Sequence, residues 1–232
     1  MYIRGSKDVL TRFGSLTLSK ELVTEFVSYM RRYPALYQRL SQQIINHLPT
    51  DLIQPCIIDI GCGPGLLLEA IARSCSNSIL IGIDISNDML FYARQQLIMA
   101  GVYDDASLLR SRVETLPCGS ERASVVVSRF SLPYWDDTEQ GFREISRVLT
   151  EKGWLILDAL DPTFSGIRSW PTLLHMRYAK ASRRVMKYHR DSFTHAYAKK
   201  DIYALLEQAG LYPRREKTKE FGWHYEIYAK KR

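Results

Sequence analysis

The stretch Cys56-Ile57-Ile58-Asp59-Ile60-Gly61-Cys62-Gly63-Pro64-Gly65 decides how this chain is read, because a strand-length apolar run ends in glycines at alternate positions before a helical pattern begins. That order gives a strand, a tight turn and a helix. Glycine in such a turn lets the backbone approach a ligand where a Cβ would clash or forbid the angles. About twenty residues on, Ile81-Gly82-Ile83-Asp84-Ile85-Ser86 supplies a second strand with a carboxylate at its C-terminal end, the spacing of a nucleoside-binding βαβ unit. The two oxygens of Asp84 suit both hydroxyls of a ribose.

Working outward, strands and helices alternate. The pattern predicts strands at 56–60, 79–83, 108–111, 124–128 and 154–157, with helices at 65–73, 88–99 (capped by Ser86 or Asn87) and 138–149. Two helices precede the first strand: Leu22, Phe26, Tyr29 and Met30 recur at helical spacing after Ser19, and Leu36, Leu40, Ile44 and Leu48 repeat it after Pro34. The end of the chain reads as a helix over 201–209 with Gly210 after it, then two extended runs, 212–220 and 223–230. Those runs suit an antiparallel hairpin at the sheet edge turning at Gly222, and that edge offers a place for another subunit to pair. The expected fold is α/β: a doubly wound, seven-stranded, mostly parallel sheet with helices on both faces and an antiparallel C-terminal hairpin. The turns at 61–65, Asp84, 112–114 and 128–131 all follow strand ends and converge on one crevice.

The alternation breaks at 159–198, read as an inserted helical lid. The division expected is one domain over 1–232: N-terminal helices at 1–50, a cofactor-binding core at 51–158, the lid, and the last helix with the hairpin at 199–232. With 232 residues, 46% of them hydrophobic, the chain is able to bury a full core. No apolar run reaches the roughly 18 residues of a membrane helix, and the N-terminus lacks a signal-peptide core, so a cytoplasmic protein without an integral membrane segment is expected. Cys56, Cys62, Cys75 and Cys118 show neither C-x-x-C spacing nor a histidine placed to complete a zinc site, so no metal is expected.

A dinucleotide site of the Rossmann type wants G-x-G-x-x-G, and counting from Gly61 the third glycine falls on Leu66. The register present is Asp59-x-Gly61-x-Gly63-x-Gly65, which resembles motif I of the class I S-adenosylmethionine-dependent methyltransferases. Further landmarks of that family's small-molecule branch follow in order: Asp84 with Met89-Leu90 behind it, Val113-Glu114-Thr115-Leu116-Pro117, Val125-Val126-Val127-Ser128, Arg147-Val148-Leu149 leading into Trp154-Leu155-Ile156-Leu157, and Leu205 to Leu211. The resemblance covers roughly 44–210 apart from the lid.

What the resemblance implies is a Rossmann-like fold and S-adenosyl-L-methionine as cofactor, with S-adenosyl-L-homocysteine as product. Asp59, Gly61, Cys62, Gly63 and Gly65 form the implied cofactor turn, with Gly61 and Gly63 against the methionine and ribose. Asp59 organises the turn and helps to place the amino group. Asp84 binds the ribose hydroxyls, Ile85 and Met89 sandwich adenine, and the backbone around Val113 meets the adenine edge. Ser128 holds the methionine ammonium through its carbonyl. One departure stands out: where the family often has an acidic residue, this chain has Arg112, which cannot accept a hydrogen bond. Either Glu114 takes the adenine amino group or that group goes to water or backbone, while Arg112 stacks on adenine or is solvated. Cys62 reads as a small filler rather than a nucleophile.

The reaction implied is in-line methyl transfer to O, N, S or C of a small, unidentified acceptor, for which positioning is sufficient. A base is required only for an acceptor that arrives protonated. Tyr134, Asp136, Asp137, His175, Tyr188, His189 and His195 are the candidates, and the sequence selects none of them. The formal charge is +7, and six cations (Arg177, Lys180, Arg183, Arg184, Lys187, Arg190) lie within 171–190 without a carboxylate between them. That segment either binds an anionic partner, an RNA or an acidic metabolite among them, or is a solvated helix face. An RNA-directed enzyme and a non-catalytic cofactor-binding module are the alternatives. Against base modification, Ser128-Arg129-Phe130-Ser131 occupies the place where amino-directed enzymes carry an Asn or Asp followed by Pro-Pro and an aromatic.

Overall fold

In this computed structural model the described residues are 19–48, 52–164, 174, 176–178, 180–219 and 223–232. Residues 57, 125 and 127 project to one side of the sheet and residues 58, 60 and 126 to the other, as strand pleating requires, and both sides are apolar. A strand apolar on both faces has to be covered on both, which is the condition of a parallel sheet in an α/β fold. Accordingly β1 (Cys56–Ile60) and β4 (Ala123–Arg129) sit side by side at the centre. The strand order is β3-β2-β1-β4-β5-β7-β6, with β2 at Ile79–Asp84, β3 at Ala106–Arg110, β5 at Leu149–Leu160, β6 at Leu211–Lys219 and β7 at His224–Lys231. The first five strands are parallel, β7 runs antiparallel to β5, and β6 pairs antiparallel with β7 at the edge.

Seven helices surround the sheet: α1 (Lys20–Met30), α2 (Pro34–Ile45), α3 (Leu66–Ser74), α4 (Asn87–Ala100), α5 (Thr138–Val148), α6 (Arg183–Thr194) and α7 (Lys199–Gln208), counted among the described residues. On one face Ile58, Val126, Leu155 and Leu157 pack against Phe142 and Ile145 of α5 and Ile202 and Leu206 of α7. On the other, Ile57, Val125, Val127 and Ile156 meet Leu68 and Ile71 of α3, Leu97 of α4, and Tyr37, Leu40 and Ile44 of α2. Side-chain caps fix where helices begin: Ser19 accepts from Leu22 N in α1, Ser86 from Met89 N in α4, Asp137 from Gln140 N in α5 and Ser182 from Val185 N in α6.

The sheet therefore winds outward in both directions from the β1/β4 pair, and the crevice where strand order reverses opens at their carboxyl ends. The strand and helix boundaries differ from those expected by a few residues in most elements. The larger differences are at β3, which begins two residues earlier, and β5, which extends from Leu149 to Leu160 with an irregular register opposite Ala123 and Val125. β4 continues one residue beyond Ser128, which matters at the site below. The turn expected at Gly222 lies outside the described residues.

Phe142 is fully buried beneath the sheet and makes an edge-to-face contact with Trp135, centroids 5.3 Å apart. Phe142→Ala is expected to lower the unfolding free energy by about 3–5 kcal/mol, measured by guanidinium titration. A loss well under 1 kcal/mol would mean that the α5 face is not packed as described.

Candidate active site

The turn after β1 is sewn to β2 by two bonds, Gly61 N and Cys62 N both donating to Ile83 O at 2.7 and 3.0 Å. Gly61 has φ +70°, and a Cβ there would collide with Ser131 Cβ, so this glycine lets the loop after β4 close over β1. Gly63 is different. It also has a positive φ, +52°, but a Cβ there would meet nothing within 4 Å, so its bare backbone faces the open crevice. Gly63 N donates to Asp84 Oδ2 at 2.9 Å, and Ser86 N donates to Asp84 Oδ1 at 2.8 Å. One carboxylate thus ties both turns together while each oxygen keeps a lone pair for a further donor. Burial raises the Asp84 pKa, and the backbone donors of Ser86, Gly63 and Ile85 oppose that rise.

Asp59 lies below this turn, 2% exposed, and lines the same cavity. Burial, reinforced by the neighbouring Asp84 and opposed by Arg129, pushes its carboxyl up to about 7. A buried acid of this kind gains its charge readily only beside a cation. Cys62 also lines the cavity, but burial and both aspartates hold its thiol well above the ordinary range, which suits packing and not nucleophilic work. Gly65 does not line the cavity. A Cβ on it would stand 3.1 Å from Ala93, so it serves the close approach of α3 to α4.

Along the crevice from Asp84, Ile85 is half exposed, Met89 is buried against Val23 and Val27 of α1, and Val113 forms the facing wall. Arg112, its side chain half exposed, has its guanidinium ion-paired with Asp136, and both residues line the cavity. Glu114 lines the crevice too, yet its Oε1 accepts from Asp136 N and Asp137 N at 2.8 and 3.1 Å, fastening the loop before α5. One oxygen of that carboxylate is taken by the loop.

Ser128 is fully buried, with Oγ 2.6 Å from Ser131 Oγ, and it does not reach the cavity. The physical reason is the extra residue of β4: the strand opens onto the crevice at Arg129, Phe130 and Ser131 instead. Phe130 holds a left-handed backbone, φ +54°, a strained conformation for a bulky side chain. Its N–H bonds Asp158 O at 2.9 Å, and its ring lies against Trp223, centroids 5.1 Å apart.

The cavity has a volume of about 960 Å³. Its roof comes from α1, α2 and α6. Tyr188 of α6 is T-shaped to Phe26 of α1 and stacked on Tyr134 of the loop after β4, each at 5.6 Å. Serine 182 and Arg184 both engage Glu25 of α1, fixing α6 against the N-terminal helices. Tyr134 and Ser192 share a hydrogen bond. Burial raises the pKa of Tyr134 and holds that of Tyr188 well above the ordinary range, so both hydroxyls stay protonated at neutral pH.

Of the proton acceptors considered from sequence, Asp137 caps α5 and His195 is bonded to Asp191 O and Thr194; neither lines the cavity. Asp136 is paired with Arg112. His175 lies outside the described residues. His189 remains: its ring lines the cavity, and burial with the nearby His224 pushes its pKa down to about 4, so it is neutral. The basic segment is partly compensated, Arg184 by Glu25 and Lys187 and Arg190 by Asp191, the residue just past it.

Residues that the spacing arguments do not single out complete the site. Arg129 Nη1 stands 3.4 Å from Asp158 Oδ2, its guanidinium lies 4.5 Å over the Phe130 ring, and Asp158 Oδ1 is 2.6 Å from His224 Nδ1. The signal for Asp158 was present: like Asp59, it is a carboxylate inside an otherwise apolar strand run, Leu155-Ile156-Leu157-Asp158-Ala159-Leu160. Tyr29, Tyr33 and Tyr37 face the cavity from helices whose sequence shows only ordinary amphipathic spacing.

Residues 58–157 match the family model described as a methyltransferase domain. The chain is 31% identical over 141 residues to a carboxy-S-adenosyl-L-methionine synthase of Trichodesmium erythraeum, covering 58% of this chain and 54% of that protein. It is 29% identical over 133 residues to a malonyl-[acyl-carrier protein] O-methyltransferase of Methylovorus, covering 55% and 45%. It thus spans about half the length of these curated relatives. In fold it resembles a Methanococcus maripaludis protein provisionally described as an S-adenosyl-L-methionine-dependent methyltransferase, with TM-score 0.66, 20% identity, and 91% and 93% of the two chains covered. A SAM-dependent methyltransferase from Aquifex aeolicus gives 0.61 at 14% identity, covering 85% and 97%. Residues 58–157 of the chain thus carry a methyltransferase domain, within a fold shared with solved S-adenosylmethionine-dependent methyltransferases.

Proposed function

We propose that this chain transfers a methyl group from S-adenosylmethionine to a small acceptor bound in the same cavity. The observation that carries the reading is the bare Gly63 backbone held beside Asp84, with buried Asp59 below it, at one end of a cavity whose other end is aromatic. Each part fits a part of the donor. Asp84 has lone pairs to spare for two ribose hydroxyls, Ile85, Met89 and Val113 give flat apolar walls for a purine, and Asp59 answers an ammonium. Arg112 is unable to accept and Glu114 Oε1 is taken by two backbone donors, so the adenine amino group falls to Glu114 Oε2, to backbone or to water.

When bound, the donor supplies a methyl carbon activated by its positive sulfur. The chain's own task is then to hold the acceptor in line and keep water out. The roof of α1, α2 and α6 suits that task, and the cavity lies at the upper end of the roughly 300–1,000 Å³ usual for ligand sites. Room for two ligands side by side supports a small acceptor over a passive cofactor-binding module, as do the relatives' names. Saturable binding with no S-adenosylhomocysteine released on any acceptor would favour the module.

Two outcomes are expected by titration calorimetry with S-adenosylhomocysteine. Asp84→Ala weakens binding by at least about tenfold, since hydrogen bonds to a charged group contribute about 1.5–3 kcal/mol each; unchanged affinity would exclude the ribose assignment. The second concerns pH. A carboxyl raised to about 7 in the folded chain favours its protonated form, so it withdraws stability as pH rises from the ordinary carboxylate range through about 7. A cationic ligand beside it favours the carboxylate. Affinity therefore increases from pH 5.5 to 7, with proton release, and Asp59→Asn flattens that dependence. A slope that persists in Asp59→Asn would assign it to another group.

A further inference from the structure

At the carboxyl end of β4 the cavity wall holds a cation whose hydrogen bonds are unmade. Arg129, the last residue of the strand, lines the cavity, and its side chain keeps 10% of its surface. A guanidinium carries five N–H donors and no acceptor, and none of the five has a hydrogen-bond partner among the described residues. Nε and Nη1 are closed off in that state. Nη2 is not closed off, which makes it the nitrogen that a ligand reaches. The guanidinium stands 4.5 Å from the centre of the Phe130 ring and 5.8 Å from that of Tyr37, so packing sets its direction.

Asp158 does not supply what is missing. It approaches Nη1 to 3.4 Å, but Nη1 and Asp158 Oδ2 are both left without a hydrogen bond, and Oδ1 is taken by His224 Nδ1 at 2.6 Å. It also stands behind the wall, which Arg129, Phe130, Leu160 and Trp223 line and Asp158 does not. A ligand therefore meets a positive charge with an open donor, and a buried charge without hydrogen bonds is costly. One guanidinium matches one negative charge, while Phe130, Leu160 and Met176 beside it offer no donor to further oxygens. A phosphate dianion brings a second charge and a third oxygen that these walls leave unmet; a carboxylate brings neither. Asp59 lines the same cavity from the neighbouring strand β1 and feels the Arg129 charge. An amino acid carries its ammonium and carboxylate on one carbon, so a zwitterion answers Asp59 and Arg129 together.

We infer that Arg129 forms a carboxylate subsite in the cavity, its Nη2 donating to a carboxylate oxygen of a bound ligand. Two ligands are able to bring that group: the methyl donor, through its methionine end, and an acceptor that is itself an acid. The first rests on the methyl-donor reading above, and binding of the second is measurable apart from it.

The test uses the full chain and titration calorimetry with two ligand pairs. The first is S-adenosylhomocysteine and its decarboxylated analogue, which keeps the amine. The second is 1-naphthoate and 1-methylnaphthalene, measured with and without S-adenosylhomocysteine. The expected result is that the acid of at least one pair binds about ten- to hundredfold more tightly than its partner, the effect of one hydrogen bond between charged groups. Arg129→Met, which removes the charge and keeps the bulk, abolishes that preference and leaves the affinity of the partner lacking the carboxylate unchanged, while Arg129→Lys retains part of it. A preference in the first pair assigns the subsite to the donor, and one in the second pair alone assigns it to an acidic acceptor. No preference in either pair of the unmodified chain, or one that survives Arg129→Met, would overturn the proposal. Should Arg129→Met not fold, Arg129→Lys carries the comparison: a preference undiminished there would overturn the proposal, since an ammonium does not reproduce the place of Nη2. A failure of S-adenosylhomocysteine to bind, with a naphthoate preference that depends on Arg129, would contradict the donor reading while supporting the subsite.

Discussion

The carboxylate of Asp84, holding Gly63 N with one oxygen and Ser86 N with the other, is the constraint on which the rest of the site depends. Burying a charge is unfavourable unless donors surround it, and the two backbone N–H groups are what make this position tolerable. Their effect spreads through the fold. Gly63 sets the turn that faces the crevice, and Ser86 caps α4. From α4, Met89 seats Val23 and Val27 of α1, and Phe26 of α1 meets Tyr188 of α6. The roof over the cavity is therefore joined, contact by contact, to the same carboxylate that faces the crevice.

The central sheet is legible in the sequence because its strands are apolar on both faces, and runs such as Cys56-Ile57-Ile58 and Val125-Val126-Val127 leave little room for another reading. Asp84 is legible for the opposite reason, as a charge at the end of such a run. What the sequence hides are choices made in three dimensions. Gly65 belongs to the glycine series but answers to Ala93 across a helix contact. Ser128 stands at the expected strand end, and one further residue of strand moves the opening to Arg129. Arg112 and Glu114 find partners in the 135–137 loop, which a spacing argument along the chain does not bring to them.

The site's two ends differ in physical character. At the glycine turn, burial raises the pKa of both carboxyls and Asp84 raises that of Asp59 further, an arrangement suited to a ligand that brings positive charge. Beyond β4 and β5 the walls are aromatic, and Arg129 stands 3.4 Å from Asp158 without hydrogen-bonding it, while Asp158 Oδ1 is 2.6 Å from His224 Nδ1. The strained backbone of Phe130 stands between the two ends, and that strain is consistent with a ring held in place by its neighbours.

The most direct measurement is a crystal structure of the chain with S-adenosylhomocysteine bound. The account predicts the ribose hydroxyls on Asp84, the amino group toward Asp59, and the sulfur turned toward the part of the cavity lined by Phe130, Tyr134 and Tyr188. A ligand bound elsewhere, or one with its sulfur facing away from those residues, would contradict it.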